Sequence, residues 1–273
     1  MKKIVVPIDF SEQSEYALKV AASLAKKHEA EIIALHMLEL NQAMVTSSEG
    51  FHPEQTVFMI RLAEKRFNKF LNKAYLEGVT ITPIVKHFKV FSEVNDVAKK
   101  NNADMIIMGS HGTDGVKEIF IGSNAERVVR NAEIPVLVIK KEHLDFKVER
   151  FLFACGFKEE SLPAFKKARD FAKLLNAELK MVYINTPGDD FLSTKDAYEC
   201  ISQFLGKAGA GMQVEVFNDY NIERGILNYG ESISADIIGI PTHGRKGLSH
   251  FFMGSIGEDI ANHSDVPVVT FRI

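Results

Sequence analysis

The chain has 273 residues, of which 46% are hydrophobic and 25% charged, as is usual for a globular protein with a sizeable core. A formal net charge of −3 excludes a globally basic nucleic-acid binder, and two cysteines are too few for a disulfide-based fold. The low cysteine content favours a reducing, cytoplasmic location. The sequence has no run of 18 apolar residues, so no membrane span is expected.

The first half of the chain alternates between continuous apolar runs and segments with the 3.6-residue spacing of amphipathic helices. The run Lys3–Ile8 predicts a strand buried on both faces, and Ser11 or Ser14 can cap the helix that follows. The elements predicted after this helix are, in chain order, strand Glu31–Leu38, helix Gln55–Leu76, strand Thr80–Lys86, helix Ser92–Lys100, strand Asp104–Met108, helix Asn124–Asn131 and strand Pro135–Ile139.

The second half of the chain repeats the first. Residues 103–123 match residues 235–255 at a constant offset of 132, and residues 4–25 match residues 151–172 at an offset of 147. The repeat predicts strands 150–155, 178–184, 212–217, 236–240 and 267–272 and helices 160–174, 194–207, 222–231 and 256–263. We therefore predict two domains, 1–142 and 148–273, joined by a short charged linker.

Strands that alternate with helices predict right-handed βαβ units. Each domain is therefore expected to have a Rossmann-like α/β fold, with a five-stranded parallel sheet flanked by helices. Ligands of such folds bind beyond the carboxyl ends of the strands, which directs attention to the residues that follow strands one and four.

Those residues have the properties of an anion-binding site. Asp9 follows strand one, and strand four leads into the spacing Gly109-x2-Gly112-x9-Gly122-Ser123. Glycines let backbone amides approach a ligand, and the N-terminus of the next helix offers unpaired N–H groups that suit phosphate. The pattern Ser123-x-x-Glu126 also fits a helix-capping box, so Ser123 has a purely structural interpretation as well.

The whole first copy resembles the nucleotide-binding members of the universal stress protein family. The resemblance rests on Pro7-Ile8-Asp9-Phe10-Ser11, Leu35-His36-Met37, the G-x2-G-x9-G-S spacing that begins after Met108, and the closing strand Ile134–Val138. It implies the adenine nucleotide alpha hydrolase-like variety of the Rossmann-like fold, and binding of ATP, or ADP or AMP, together with Mg²⁺. It also implies that the two last strands pair within the chain as an internal pseudo-dimer, with further homodimerisation left open.

The resemblance also implies roles for individual positions. Residues on the adenine and ribose side would be Pro7, Asp9 and Met37. Residues on the ribose and α-phosphate side would be Met108, Gly109 and Gly112. Residues at the distal phosphates would be Gly122, Ser123 and Asn124. No further protein ligand for a metal is expected.

The second copy departs from this pattern. Gly156 stands at the position of Asp9, Pro241 at that of Gly109 and Ile184 at that of Met37. A glycine offers no carboxylate and a proline no N–H, so we expect one nucleotide site per chain, in the first domain. The second domain then binds another small ligand or serves as a structural partner.

Binding rather than dedicated catalysis is expected. The sequence contains no GxxxxGK[ST], GxGxxG, GxSxG or HExxH motif, so at most weak ATP hydrolysis is anticipated. Two functions stay open. One is an ATP-binding stress sensor or switch that acts on a protein partner, without nucleic acid or membrane. The other is a nucleotide-independent stress or scaffold protein.

Overall fold

The computed structural model describes residues 1–38, 53–87, 90–111, 122–189, 191–242, 260 and 262–273. In the first copy its elements are β1 (Lys3–Ile8), α1 (Glu12–His28), β2 (Glu31–Leu38), α2 (Pro53–Leu71), β3 (Ile81–His87), α3 (Val90–Lys100), β4 (Met105–Gly109), α4 (Ser123–Asn131) and β5 (Val136–Ile139). In the second copy they are β6 (Arg150–Ala154), α5 (Leu162–Leu175), β7 (Glu178–Asn185), α6 (Thr194–Ala208), β8 (Val214–Asn218), α7 (Ile222–Ser232), β9 (Ile237–Thr242) and β10 (Val268–Arg272).

Helix α1 shows how the local sequence sets these elements. Ser11 is its N-cap, because the Ser11 hydroxyl accepts a hydrogen bond from the backbone N–H of Ser14 at 3.1 Å. The apolar positions of the helix, among them Leu18 and Leu24, are buried at the spacing of one helix face. Of the two candidate capping serines, the structure therefore selects Ser11.

The chain divides into two compact units. In the first unit the strand order is β3-β2-β1-β4, and each neighbouring pair is parallel. Strand β1 lies between β2 and β4, and its residues Ile4, Val5 and Val6 are fully buried. The carboxyl ends of β1, β2 and β4 consequently meet at one edge of the sheet, where the sequence places its candidate site.

The second unit contains the chain from Lys147 onward together with Val129–Val138 of the first copy. Its strand order is β5-β10-β9-β6-β7-β8. The five strands of the second copy are parallel, whereas β5 pairs antiparallel with β10 in the register Val138 to Val268. The predicted pairing of the two last strands is thus present, and the α/β fold class is confirmed.

One predicted helix is wrong at its end. Gln55–Leu76 was expected to be continuous, but α2 ends at Leu71 and a separate 3₁₀ turn spans Ala74–Leu76. Lys73 lies between them with extended backbone, and its ammonium pairs with Glu15 of α1 at 2.9 Å. This turn buries Leu76 against the unit, so tertiary contacts override the helical spacing at this point.

The remaining predicted boundaries agree with the structure to within two residues. The predicted helix 256–263 lies outside the described residues except for positions 260, 262 and 263. None of the described helices combines the length and the apolar character that a membrane crossing requires. The domain boundaries 1–142 and 148–273 stay a prediction.

Candidate functional site

The ends of β1 and β2 form the centre of the candidate site. Ile8 lies beside His36 in the register of the two strands, and the His36 Nδ1–H donates a hydrogen bond to the Ile8 carbonyl at 2.7 Å. One residue further along this parallel register, Asp9 falls beside Met37. Both side chains are half-buried, and the two residues predicted to flank an adenosine each directly follow Ile8 and His36, the last pair of the register.

The Asp9 carboxylate is oriented by the start of α1. Its Oδ1 accepts hydrogen bonds from the Ser11 backbone N–H at 2.9 Å and from the Ser11 hydroxyl at 2.5 Å. The same hydroxyl caps the helix by accepting from Ser14. Sequence reasoning did not single out Ser11 as a site residue, although its place two residues after Asp9 is typical of a side-chain turn. Asp9 therefore has a structural role, while a carboxylate keeps further acceptor positions at Oδ2.

Gly109 is required by a close contact with protein rather than by its backbone conformation. A Cβ at this position would lie 2.8 Å from the backbone C and O of Gln13 and 2.8 Å from its Cβ. The first turn of α1 therefore passes directly over the end of β4. Met108, one residue earlier, is buried in the core, and Pro7 in β1 is half-buried.

Ser110 connects the end of β4 to the start of α4. Its backbone N–H donates to the Ile139 carbonyl at 3.0 Å, and its own carbonyl accepts from the Gly122 N–H at 2.7 Å. Because the Gly122 amide is used in this bond, the N–H groups at the start of α4 that lack intrahelical partners belong to residues 123 to 125. Ser123 and Asn124 are exposed there.

The capping-box interpretation of Ser123 is not what the structure contains. The Glu126 N–H donates to the Gly122 carbonyl at 3.0 Å, which makes Gly122 the cap position and Ser123 the first residue of α4. In a capping box the Ser123 hydroxyl would instead accept from the Glu126 N–H. Ser123 is thus an exposed residue at the positive end of α4.

The two described histidines near the site both have a lowered pKa, which favours the neutral ring at pH 7. Burial is the largest cause that lowers the pKa of His36, helped by the nearby Arg66 and opposed by Asp9. Burial and Lys140 lower the pKa of His111, whose Nδ1 lies 2.8 Å from the Ser110 hydroxyl. Neither ring therefore contributes a positive charge for an anion at neutral pH.

An aromatic cluster lies behind the site, and sequence reasoning did not find it. The Phe10 ring is 4.5 Å from that of His36, 5.6 Å from that of Phe67 and 5.5 Å from that of Phe70, measured between centroids. Phe10 has a φ of 67°, in the left-handed region that phenylalanine rarely adopts. No local signal in the sequence marks this conformation, because the contacts with α2 that hold it are distant along the chain.

The described residues at the matching strand ends of the second copy pack closely together. A cavity of about 10 Å³ remains there, and it is lined largely by apolar groups of Cys155, Gly156, Tyr183, Ile184 and Ile226. A Cβ at Gly225 of α7 would lie 2.5 Å from a methyl carbon of Ile184, so α7 packs directly onto β7. This cavity has room for about one water molecule. Cys155 is buried there, and burial raises the pKa of its thiol to about 12.

Some predicted features lie outside the described residues. Gly112 of the candidate site belongs to this group, as does the x9 loop that follows it. In the second copy the same applies to the counterparts Gly244, Gly254 and Ser255.

Comparison with known proteins identifies the family. The sequence profile described as "Universal stress protein family" matches residues 1–140 and again residues 147–272. The chain belongs to the universal stress protein family. It contains two copies of the family's domain in tandem.

Two universal stress proteins of Methanocaldococcus jannaschii are similar to about half of this chain. One is 34% identical over 140 residues, which cover 51% of this chain and 82% of that protein. The other is 32% identical over 156 residues, which cover 52% of this chain and 96% of that protein. A crystal structure of a universal stress protein from Archaeoglobus fulgidus matches the whole chain with a TM-score of 0.70 at 24% identity, covering 99% of this chain and 96% of that one. That likeness supports the fold.

Proposed function

We propose that the first domain of this universal stress protein binds ATP, or ADP or AMP, and that the bound nucleotide controls contacts with a protein partner. The observation that carries this proposal is the contrast between the two copies at the same edge of the sheet. The first copy has Asp9 and Met37 directly after the last pair of the β1–β2 register, and an exposed helix N-terminus at Ser123. At the matching strand ends, the second copy has Gly156 and a nearly filled apolar cavity.

The first copy offers complementary groups for each part of a nucleotide. Pro7, Asp9 and Met37 would flank the adenine and ribose, with the carboxylate accepting hydrogen bonds from ribose hydroxyls. Met108, Gly109 and Gly112 would lie on the ribose and α-phosphate side. The distal phosphates would accept hydrogen bonds from the amides of Ser123 and Asn124, while Gly122 would shape the turn through its bond to Ser110.

A magnesium ion would be held mainly by the phosphates. Within the described part of the chain, no group of three His, Cys, Asp or Glu side chains comes together to bind a metal. Mg²⁺ commonly keeps several water ligands and binds through substrate phosphates with one or two carboxylates. Here the phosphates and water would supply most ligands of a magnesium ion bound together with the nucleotide, and Asp9 could supply one carboxylate. The ion would supply charge neutralisation for the phosphates.

A route from the site to a partner surface begins at Phe10. This residue follows Asp9 directly, and its ring contacts Phe67 and Phe70 of α2. A nucleotide that changes the position of Asp9 would therefore act on α2 through adjoining side chains. This arrangement supports a binding switch rather than a dedicated catalyst.

Calorimetric titration of nucleotide-stripped protein with Mg–ATP tests the proposal. We expect about one site per chain and loss of most binding in Asp9→Ala. Ser123→Glu is a sharper variant, because a carboxylate suits the first turn of α4 but repels phosphate. Thr194→Glu is its matched control, since Thr194 is the exposed first residue of α6 in the second copy.

Three results would contradict the proposal. Two sites per chain would mean that the second copy binds nucleotide as well. Unchanged affinity in Ser123→Glu would remove α4 from the phosphate site. No binding at millimolar Mg–ATP would refute the nucleotide proposal itself.

The alternative is a nucleotide-independent stress or scaffold protein, and two observations favour it. The contact of Gly109 with Gln13 and the hydrogen bonds of Asp9 with Ser11 give both residues roles in folding. Under this alternative, Asp9→Ala lowers stability but the wild-type protein releases no heat of binding with Mg–ATP.

A further inference from the structure

The two cysteines of the second copy contact the same residue. Cys155 directly follows β6, and Cys200 lies in α6, far from it in sequence. The Cys200 thiol donates a hydrogen bond to the Phe157 carbonyl, with 3.8 Å between sulfur and oxygen. The backbone of Phe157 is also hydrogen-bonded to the Cys155 thiol. Both sulfurs therefore lie against the backbone of Phe157.

Helix α6 covers the face of the sheet on which the Cys155 side chain lies. Alternate residues of a strand point to the same face, which places Cys155 with Phe153. The ring of Phe153 is 6.4 Å from that of Phe165 in α5, and the ring of Phe204 in α6 is 5.6 Å from the same Phe165 ring. Helices α5 and α6 thus pack side by side over this face.

The Cys200 side chain is directed toward that face. Cys200 and Phe204 are four residues apart and are therefore neighbours on α6. Phe204 is buried, and its ring centroid is 5.2 Å from that of Phe157. Cys200 is half-buried, so it lies at the margin of the inner face of α6. The two thiols consequently lie between the end of β6 and α6, one buried and the other accessible from outside.

The two thiols differ in reactivity. Burial raises the pKa of the Cys155 thiol to about 12, although its hydrogen bond with the Phe157 backbone acts in the opposite direction. An ionised Cys200 would raise this pKa further, because the two sulfurs are close enough to interact electrostatically. A cysteine reacts as its thiolate and only where a reagent has access to it. Cys200 is the more exposed thiol, so an oxidant in solution reaches it first.

We propose that Cys200 and Cys155 form an oxidation-sensitive pair, which hydrogen peroxide converts to an intramolecular disulfide. The Cys200 thiol loses its proton to solvent and its sulfur attacks one peroxide oxygen, which breaks the O–O bond and gives a sulfenic acid and hydroxide. The Cys155 sulfur then attacks the Cys200 sulfur and expels a second hydroxide. The two hydroxides take up the two thiol protons, so two thiols and one peroxide give one disulfide and two water molecules.

The pair is reversible, and it is independent of nucleotide binding. A dithiol reductant restores both thiols by thiol–disulfide exchange. In a reducing compartment such a disulfide is transient, which is typical of redox-sensing cysteines.

Peptide mass spectrometry after peroxide treatment tests the proposal. The folded, reduced chain is treated with a small excess of hydrogen peroxide, its remaining thiols are blocked with iodoacetamide, and it is digested without reductant. We expect a cross-linked peptide pair that contains Cys155 and Cys200 and that dithiothreitol separates. The protein should stay a monomer on a non-reducing gel, because the disulfide lies within one chain.

Cys200→Ser/Ser202→Cys is the matched control, because it has the same composition as the wild type. Ser202 is exposed and lies two residues further along α6, about 200° around the helix from Cys200. Its thiol is therefore open to peroxide but directed away from Cys155. We expect dimedone to trap a sulfenic acid at this position, and the yield of cross-linked peptide to fall about tenfold or more, because a disulfide needs its two sulfurs in contact.

Cys155→Ala removes the second thiol and tests the order of the two steps. In this variant the sulfenic acid on Cys200 should persist and be trapped by dimedone, whereas in the wild type it should be consumed by the disulfide. Circular dichroism checks that each variant stays folded. If Cys155→Ala does not fold, the control at position 202 still decides the outcome.

Three results would overturn the proposal. The first is a wild-type protein whose Cys200 is fully oxidised without any cross-linked peptide. The second is an equal yield of cross-linked peptide in the wild type and in the control. The third is a disulfide that joins two chains, seen as a dimer on the non-reducing gel. Asp9→Ala should form the intramolecular disulfide normally, which separates this test from that of the nucleotide site.

Discussion

Replacing Gly109 with alanine distinguishes a contact within the protein from a contact with a ligand. The added Cβ would lie 2.8 Å from the backbone C and O of Gln13 and from its Cβ. These atoms belong mainly to the main chain of α1, so a side-chain rotation cannot relieve the overlap. The first turn of α1 must shift, and with it the Ser11 hydroxyl that binds Asp9.

The expected magnitude follows from this overlap. Forcing an extra carbon into a well-packed site costs about 1–3 kcal/mol, and we expect Gly109→Ala to destabilise the protein by that amount. Gly206→Ala is the matched control, because Gly206 lies within α6 and nothing is within 4 Å of its added Cβ. Alanine is favoured over glycine in a helix by roughly 0.5–1 kcal/mol, so the control should gain stability.

Urea unfolding followed by circular dichroism measures both variants. The midpoint should fall for Gly109→Ala and rise slightly for Gly206→Ala, with unchanged slopes. A wild-type midpoint for Gly109→Ala would refute the close approach of α1 to β4. Reduced Mg–ATP affinity at unchanged stability would instead favour a ligand contact at Gly109.

Three further predictions follow from the site and its surroundings. An NMR titration should give His36 a pKa below its ordinary value of 6.5. Because the unfolded chain then binds more protons than the folded chain, the free energy of unfolding should fall as the pH drops through about 6.5. An upward shift of this pKa would contradict the burial of the ring. Native protein at pH 8 should be alkylated by iodoacetamide at the half-buried Cys200 and not at Cys155. Peptide mass spectrometry measures the labelling of each cysteine, and equal labelling of the two would contradict the prediction. Ser11→Ala should cost more than the typical loss of about 1 kcal/mol for an N-cap, because Asp9 also loses its partner. Asn221→Ala, at the N-cap of α7, is the control, and equal losses in the two variants would count against the Asp9 bond.

The chain contains two copies of one domain, and the copies have diverged at the residues that we propose bind the nucleotide. Ile184 stands at the position of Met37, and one of its methyl carbons would lie only 2.5 Å from a Cβ at Gly225. Gly156 replaces Asp9 at the same strand end. Among the described residues of the second copy, a cavity of only about 10 Å³ with an apolar lining lies beside Gly156, whereas the first copy has a carboxylate at this position.

Local sequence by itself determined the order and type of nearly all described elements. Continuous apolar runs identify the buried strands, and the 3.6-residue spacing identifies the helices, because each pattern reflects which side of a short segment faces the core. The internal repeat and the motifs around Asp9 and Gly109 identified the family and the edge of the sheet that carries the candidate site.

Only the tertiary structure decided which backbone and side-chain groups are already used. The Gly122 amide is bound to Ser110, Gly109 is required by Gln13, and Phe10 adopts a left-handed conformation against α2. The break in the predicted helix after Leu71 has the same origin. Each of these features depends on atoms that are distant along the chain, and no local pattern records which distant segments will meet.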